Sequence, residues 1–193
     1  MKRLFFFCGI LGLIINGCIT TLPVHKSRFK LVPLSSEIIL SPLKDFSVNT
    51  PINWFSTKDN HYSSNEIWLV KENYTAVITV KNINIVDSIT NSNTNINSLL
   101  IDLSKTTLQL YKRKYSNSFK LLSPPRLYEN SNVIFSAFEF EFNSGQVARI
   151  AIVEKNKKFF KIKVYSANQT YGKILPNELF SIQESILISL KLY

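Results

Sequence analysis

Reactive side chains are scarce in this chain of 193 residues, which holds 2 cysteines, 2 histidines, 1 methionine and 5 glycines. Both cysteines, Cys8 and Cys18, fall at the amino-terminal end, so the rest of the chain can form no disulfide and offers no thiol nucleophile or cysteine-ligated zinc. Glycine is too sparse to build a phosphate-cradling loop, and no G-x-S-x-G step is present, which excludes the usual nucleotide-binding and serine-hydrolase signatures. Acidic residues are also few, 13 against 23 Lys plus Arg, for a formal charge of +10. That excess favours anionic partners, but no nucleic-acid motif accompanies it and no nucleic-acid partner is expected. What is plentiful is apolar and aromatic: 45% hydrophobic and 12% aromatic residues exclude a disordered chain and demand a packed core.

The amino terminus reads as a leader. Met1-Lys2-Arg3 supplies positive charge, Leu4 to Ile15 is an apolar run, and Asn16-Gly17-Cys18 follows. Such a run is shorter than the roughly 20 residues a bilayer span needs and has the layout of a signal peptide. Ile15-Asn16-Gly17-Cys18 resembles the bacterial lipobox. The resemblance implies cleavage after Gly17 of a signal peptide covering 1–17 and lipidation of Cys18, whose thiol is the acceptor. Ile19 stands where an aspartate is the usual signal for inner-membrane retention. The resemblance therefore places the protein in the cell envelope, at the outer membrane and facing the periplasm.

Residues 18–42 contain Pro23, Pro33 and Pro42 among short apolar and basic stretches. Proline at that spacing opposes a helix, and the segment reads as a tether, with Glu37 to Leu40 at its junction with a domain covering 43–193. Within that domain Phe46 and Val48, Glu66 to Val70 and Thr75 to Ile83 read as strands. A helix from Asn97 or Ser98 to about Tyr115 is expected, with Leu99, Leu100, Leu103, Thr107, Leu110 and Tyr111 inward. A short strand at Phe119 to Leu122 is stopped by Pro124-Pro125. Three longer strands follow, at Val133 to Phe142, Gln146 to Lys155 and Lys158 to Ala167, joined at hairpin spacing. Pro176-Asn177-Glu178 opens a last helix. The expected fold is α+β, an antiparallel sheet of about six or seven strands covered by two main helices.

Phe46-Ser47-Val48-Asn49-Thr50-Pro51-Ile52-Asn53-Trp54 resembles the opening of PsbP-like domains, with Asn53 where that family has a glycine before the tryptophan. Phe180 and Ile186-Leu187-Ile188-Ser189-Leu190 resemble their terminal helix. The resemblance covers about 43–193 and implies an α/β/α sandwich, in a family of mostly non-enzymatic docking or assembly factors.

Candidates for chemistry are few. His25 lies in the tether, where solvation explains it. Asp59, His61 and Glu66 share a polar turn and suit a metal such as zinc or manganese, although no i, i+4 histidine pair fixes their geometry; an ordinary loop is the simpler reading, so no metal and no cofactor are expected. Glu139 and Glu141 alternate with phenylalanines, Lys161 and Lys163 alternate likewise, and cross-strand ion pairs between the two sets are expected. The basic runs Lys112-Arg113-Lys114 and Lys155-Asn156-Lys157-Lys158 suit a helix end and a hairpin tip. The sequence thus reads as a membrane-anchored envelope lipoprotein, not an enzyme, whose PsbP-like domain docks or assembles another protein. The alternative is a periplasmic small-ligand or glycan-binding module with a cleft lined by Trp54 and Trp68.

Overall fold

The computed structural model describes residues 22–57, 66–84, 95–143, 145–167 and 174–193. Among the described residues eleven strands and two α-helices follow one another in this order: β1 (Val24–Lys26), β2 (Leu34–Leu40), β3 (Phe46–Pro51), β4 (Trp54–Ser56), β5 (Glu66–Lys71), β6 (Ala76–Ile83), α1 (Ile96–Lys114), β7 (Lys120–Asn130), β8 (Val133–Phe142), β9 (Gln146–Lys155), β10 (Lys158–Ser166), α2 (Pro176–Ser189) and β11 (Lys191–Leu192). Eight strands form one sheet in the order β1-β7-β8-β9-β10-β6-β5-β4, and β11-β3-β2 form a second. All pairings are antiparallel except β1 with β7. The fold class is the expected α+β, with the main sheet larger than expected and mixed because of that one parallel pair.

Alternation in the central strands decides the layers. Phe138, Phe140 and Phe142 of β8 join Ala148, Ile150 and Ile152 of β9 under α1. Phe135 and Ala137, with Ala151 and Val153, point the other way, into a core shared with α2 and β3. Apolar residues on both faces mark a sheet covered twice, so α1 forms one outer layer and α2 with the small sheet forms the other. Two-residue turns join β7 to β8 and β9 to β10. Ser131 and Asn132, then Asn156 and Lys157, all take positive φ, as tight hairpins with the right twist require. Asn53 has φ 65°, the left-handed conformation that asparagine tolerates better than most residues.

Three expectations are corrected. Residues 24–40 are not a tether, because the domain begins well before residue 43. β1 pairs with Leu127 to Glu129 of β7, β2 pairs with β3, Phe29 is buried, and the Val32 amide donates to Ser185 Oγ at 2.8 Å. The prolines lie between these strands or at their ends, where they interrupt helix but not strand pairing. Next, Pro124-Pro125 do not stop β7, which passes through them with register shifts between Leu121 and Ser123 and between Ser123 and Arg126. Neither proline is in the stretch that β1 covers, so their missing donors fall on an open edge. Finally, α1 starts at Ile96, capped by the Asn95 side chain accepting from the Asn97 amide, and it is rolled from the expected arc. Leu100, Ile101, Ser104 and Leu108 are its buried residues, while Leu110 is 59% exposed.

Candidate functional site

Several sequence candidates separate in space. Gly17, Cys18, Asp59 and His61 lie outside the described residues, and Glu66 opens β5 opposite Lys81. Among the described residues no cluster of His, Cys, Asp and Glu is arranged to hold a metal. His25 sits on β1 with its ring 6.1 Å from that of Tyr128. Trp54 is buried against the α2-side core, whereas Trp68 stands next to Ile67 and Leu69 of that core and so points to the opposite face. The two tryptophans therefore do not line one cleft.

The expected pairs of Glu139 and Glu141 with Lys161 and Lys163 do not form, because register puts them on opposite faces. Lys161 and Lys163 stand opposite Ile152 and Ile150, on the α1 side. Glu139 stands opposite Arg149, on the α2 side, with Arg149 Nε 3.7 Å from Glu139 Oε1. Glu141 reaches Lys120 at 3.8 Å instead.

What register does assemble is a basic, aromatic groove. α1 packs on β7, β8 and β9, and the same face of β10, β6 and β5 continues beside it, with Thr79 buried there. Across that face run Glu66, Lys81 and Lys161 in one row, and Trp68, Thr79 and Lys163 in the next. Lys163 Nζ lies 4.1 Å from the Tyr165 ring, 5.5 Å from Tyr111 and 5.9 Å from Phe142. Lys161 Nζ approaches the same Tyr111 ring at 6.0 Å. Ring faces attract ammonium groups, yet neither lysine has a carboxylate partner among the described residues. Ile83, Thr107, Leu110, Tyr111, Lys114 and Lys161 enclose about 280 Å³ there.

The charge state follows from this setting. Burial, with repulsion from Lys114 and Lys161, pushes the Lys163 ammonium down to about 8 against the attraction of Glu66. Burial lowers Lys161 too; Glu66 opposes that shift, while Lys81 and Lys114 reinforce it. Burial, reinforced by Tyr115 and Glu66, raises the Tyr111 and Tyr165 phenols, with Tyr165 adding to the shift at Tyr111. Near neutral pH Lys163 therefore remains mostly protonated and the Tyr111 and Tyr165 phenols keep their protons, so these groups present hydrogen-bond donors.

The other polar constellation is sealed. Arg149 is 1% exposed and Glu184 0%, and Arg149 Nη1 donates to Glu184 Oε1 at 2.8 Å. Ser27 Oγ donates to the same oxygen at 2.9 Å and Asn130 Nδ2 to Glu184 Oε2 at 2.6 Å. Gln183 accepts from Arg149 and donates to the Arg149 and Ile162 carbonyls. Phe29, Phe180, Tyr128 and Phe135 ring the guanidinium at 4.9 to 5.7 Å. This buried knot ties α2 and the amino-terminal segment to the sheet.

Neither constellation emerges from reading residues singly. The usable signal is hairpin length: the two-residue Asn156-Lys157 turn sets Lys155 opposite Lys158, and counting inward places Lys163 opposite Ile150.

No protein-family model matches the sequence, and no curated protein matches it. Solved structures do. Cyanobacterial PsbP (CyanoP) from Synechocystis sp. PCC 6803 superposes with a TM-score of 0.56 at 10% identity, over 86% of this chain and 98% of that one. The Ran-binding protein Mog1p of Saccharomyces cerevisiae superposes with a TM-score of 0.53 at 9% identity, over 83% of this chain and 96% of that one. Identity at this level speaks for architecture alone. The chain has the PsbP/Mog1-like α+β fold.

Proposed function

We propose that this protein is a non-catalytic docking module of the bacterial envelope, held to the membrane by lipid on Cys18. The observation that carries the docking part is a cleft between the edges of the two sheets, mostly apolar but with Ser56, Thr57 and Glu66 in its wall. Ile38 and Leu40 of β2 are 46% and 47% exposed, and with Pro42, Ile67 and Trp68 they line a cavity of about 350 Å³. Exposed aliphatic side chains gathered at one cleft are what a protein partner covers. The likeness to Mog1p, a Ran-binding protein, supports a fold used for protein recognition. The lipobox-like Ile15-Asn16-Gly17-Cys18 supports the anchor, and placement at the outer membrane follows from Ile19 by analogy.

Each part has its own test. Replacing Cys18 with serine is expected to move the protein from the membrane fraction to the soluble fraction, since acyl chains supply about 0.8 kcal/mol per buried methylene. Retention of the Cys18→Ser protein in membranes overturns lipidation. A photo-crosslinking residue at Leu40 is expected to give one discrete adduct in intact envelopes, and the adduct is expected to vanish when Ile38 is changed to aspartate. A smear that survives Ile38→Asp overturns docking at this cleft.

A further inference from the structure

The groove beside α1 is distinct from the docking cleft, and its charges are unbalanced. Lys81 and Lys114 repel Lys161 there, and Lys114 and Lys161 repel Lys163. Among the described residues, Glu66 is the one carboxylate that attracts both buried lysines. Partly buried ammonium groups without counter-charges are costly, and the arrangement repels itself until an anion enters. The enclosed volume of about 280 Å³ sits at the small end of ligand pockets, which run from roughly 300 to 1,000 Å³. It accommodates a ring-sized body with one charged head and is too small for a folded element of another protein. Its walls divide accordingly, with Lys114 and Lys161 on the polar side and Ile83, Leu110 and the Tyr111 ring on the apolar side.

We propose that the groove between α1 and β10 binds a small organic oxyanion, a phosphate or carboxylate carried on an aryl or alkyl body. Lys161 and Lys114 meet the charge, and Ile83, Leu110 and Tyr111 hold the body. Lys163, set behind Tyr111, adds positive field without touching the cavity.

The test uses the full chain in nonionic detergent, titrated calorimetrically with phenyl phosphate, benzoate and inorganic phosphate. Phenyl phosphate is expected to bind at one saturable site with a dissociation constant of about 1 mM or below, and inorganic phosphate about tenfold more weakly. The pH dependence has a fixed sign. An anion raises the Lys163 ammonium from its free value of about 8, so binding near pH 8 takes up protons, binding at pH 6 does not, and affinity falls as pH climbs past 8. Tyr111 and Lys114 face Lys163 from α1, Glu66 from β5, and Lys161 and Tyr165 from β10 itself. Of these, the Tyr111 and Tyr165 phenols, raised by burial, remain protonated across that range.

Lys161→Met is expected to weaken phenyl phosphate at least tenfold. Leu110→Glu, at an exposed position that leaves the core untouched, is expected to fill the groove with its own carboxylate and abolish binding. Exposed Lys112→Met should leave affinity unchanged. Any of four results overturns the proposal: no saturable phenyl phosphate site, equal affinity for bare phosphate, indifference to Leu110→Glu, or binding seen only with a hexaglutamate peptide or with vesicles of anionic lipid. The last outcome reassigns the groove to an acidic protein segment or to the membrane surface.

Discussion

Glu184→Ala is expected to destabilise the domain by about 3 to 5 kcal/mol, the cost of stranding one partner of a buried ion pair. Arg149 is then left 1% exposed with its main counter-charge gone, facing four aromatic rings and a more distant Glu139. Arg149→Ala strands Glu184 instead, though Ser27 and Asn130 still donate to it, so its cost is expected at the lower end. Replacing both, as Arg149→Met with Glu184→Leu, is expected to recover most of the loss, because apolar groups of similar volume often match a buried pair. Urea denaturation of the four proteins decides. Single-variant losses below about 1 kcal/mol, the scale of surface pairs, are incompatible with a sealed pair. For a domain whose total stability is about 5 to 15 kcal/mol, the single variants are near the limit of folding.

Phe140→Ala is expected to be comparably damaging, at about 3 to 5 kcal/mol, on the opposite face of the sheet. Phe140 is fully buried and its ring lies 5.0 Å from Phe119, 5.2 Å from Tyr111 and 5.6 Å from Phe142. Removing it opens a void beneath α1 and takes away the ring on which Tyr111 rests. The amphipathic groove loses its wall, so phenyl phosphate affinity is expected to fall even where the variant remains folded. Phe140→Leu keeps most of the volume and is expected to cost markedly less. Since the Arg149 knot lies across the sheet, the double variant Phe140→Leu with Glu184→Gln should show losses additive to within about 0.5 kcal/mol. Strong coupling contradicts two separate cores.

These two faces also mark how far the sequence can be read. β8 and β9 fall where the apolar alternation places them, and β10 within a residue of it, because each lies beside its hairpin partner and local pattern is enough. The position of α2 is equally plain from Pro176 and the aliphatic run behind it. By contrast, β1 and β2 are strands only because of partners far along the chain, Leu127 to Glu129 for one and β3 for the other, and three prolines suggested a linker. The ion pairs expected of Glu139 and Lys163 fail by face, since both alternate with apolar residues but on strands whose register only the turns determine. Glu184 was overlooked because charge on a helix usually means solvent. The signal lay in its neighbours: Leu179, Phe180, Ile182, Ile186 and Leu187 surround α2 with apolar residues, and a helix wrapped in that way has no wet side for Glu184 to occupy.

The pairing of Val24 to Lys26 with β7 shortens any leash to the membrane. With lipid on Cys18, as proposed, only Ile19 to Pro23 remain between anchor and sheet, a reach of at most roughly 18 Å. β10 is four strand spacings from β1, about 19 Å further across the sheet. A globule leashed so closely rides against the bilayer as a raft rather than a buoy. Its search for a membrane-bound partner is then confined to two dimensions, which raises the local concentration of each for the other without any added contact.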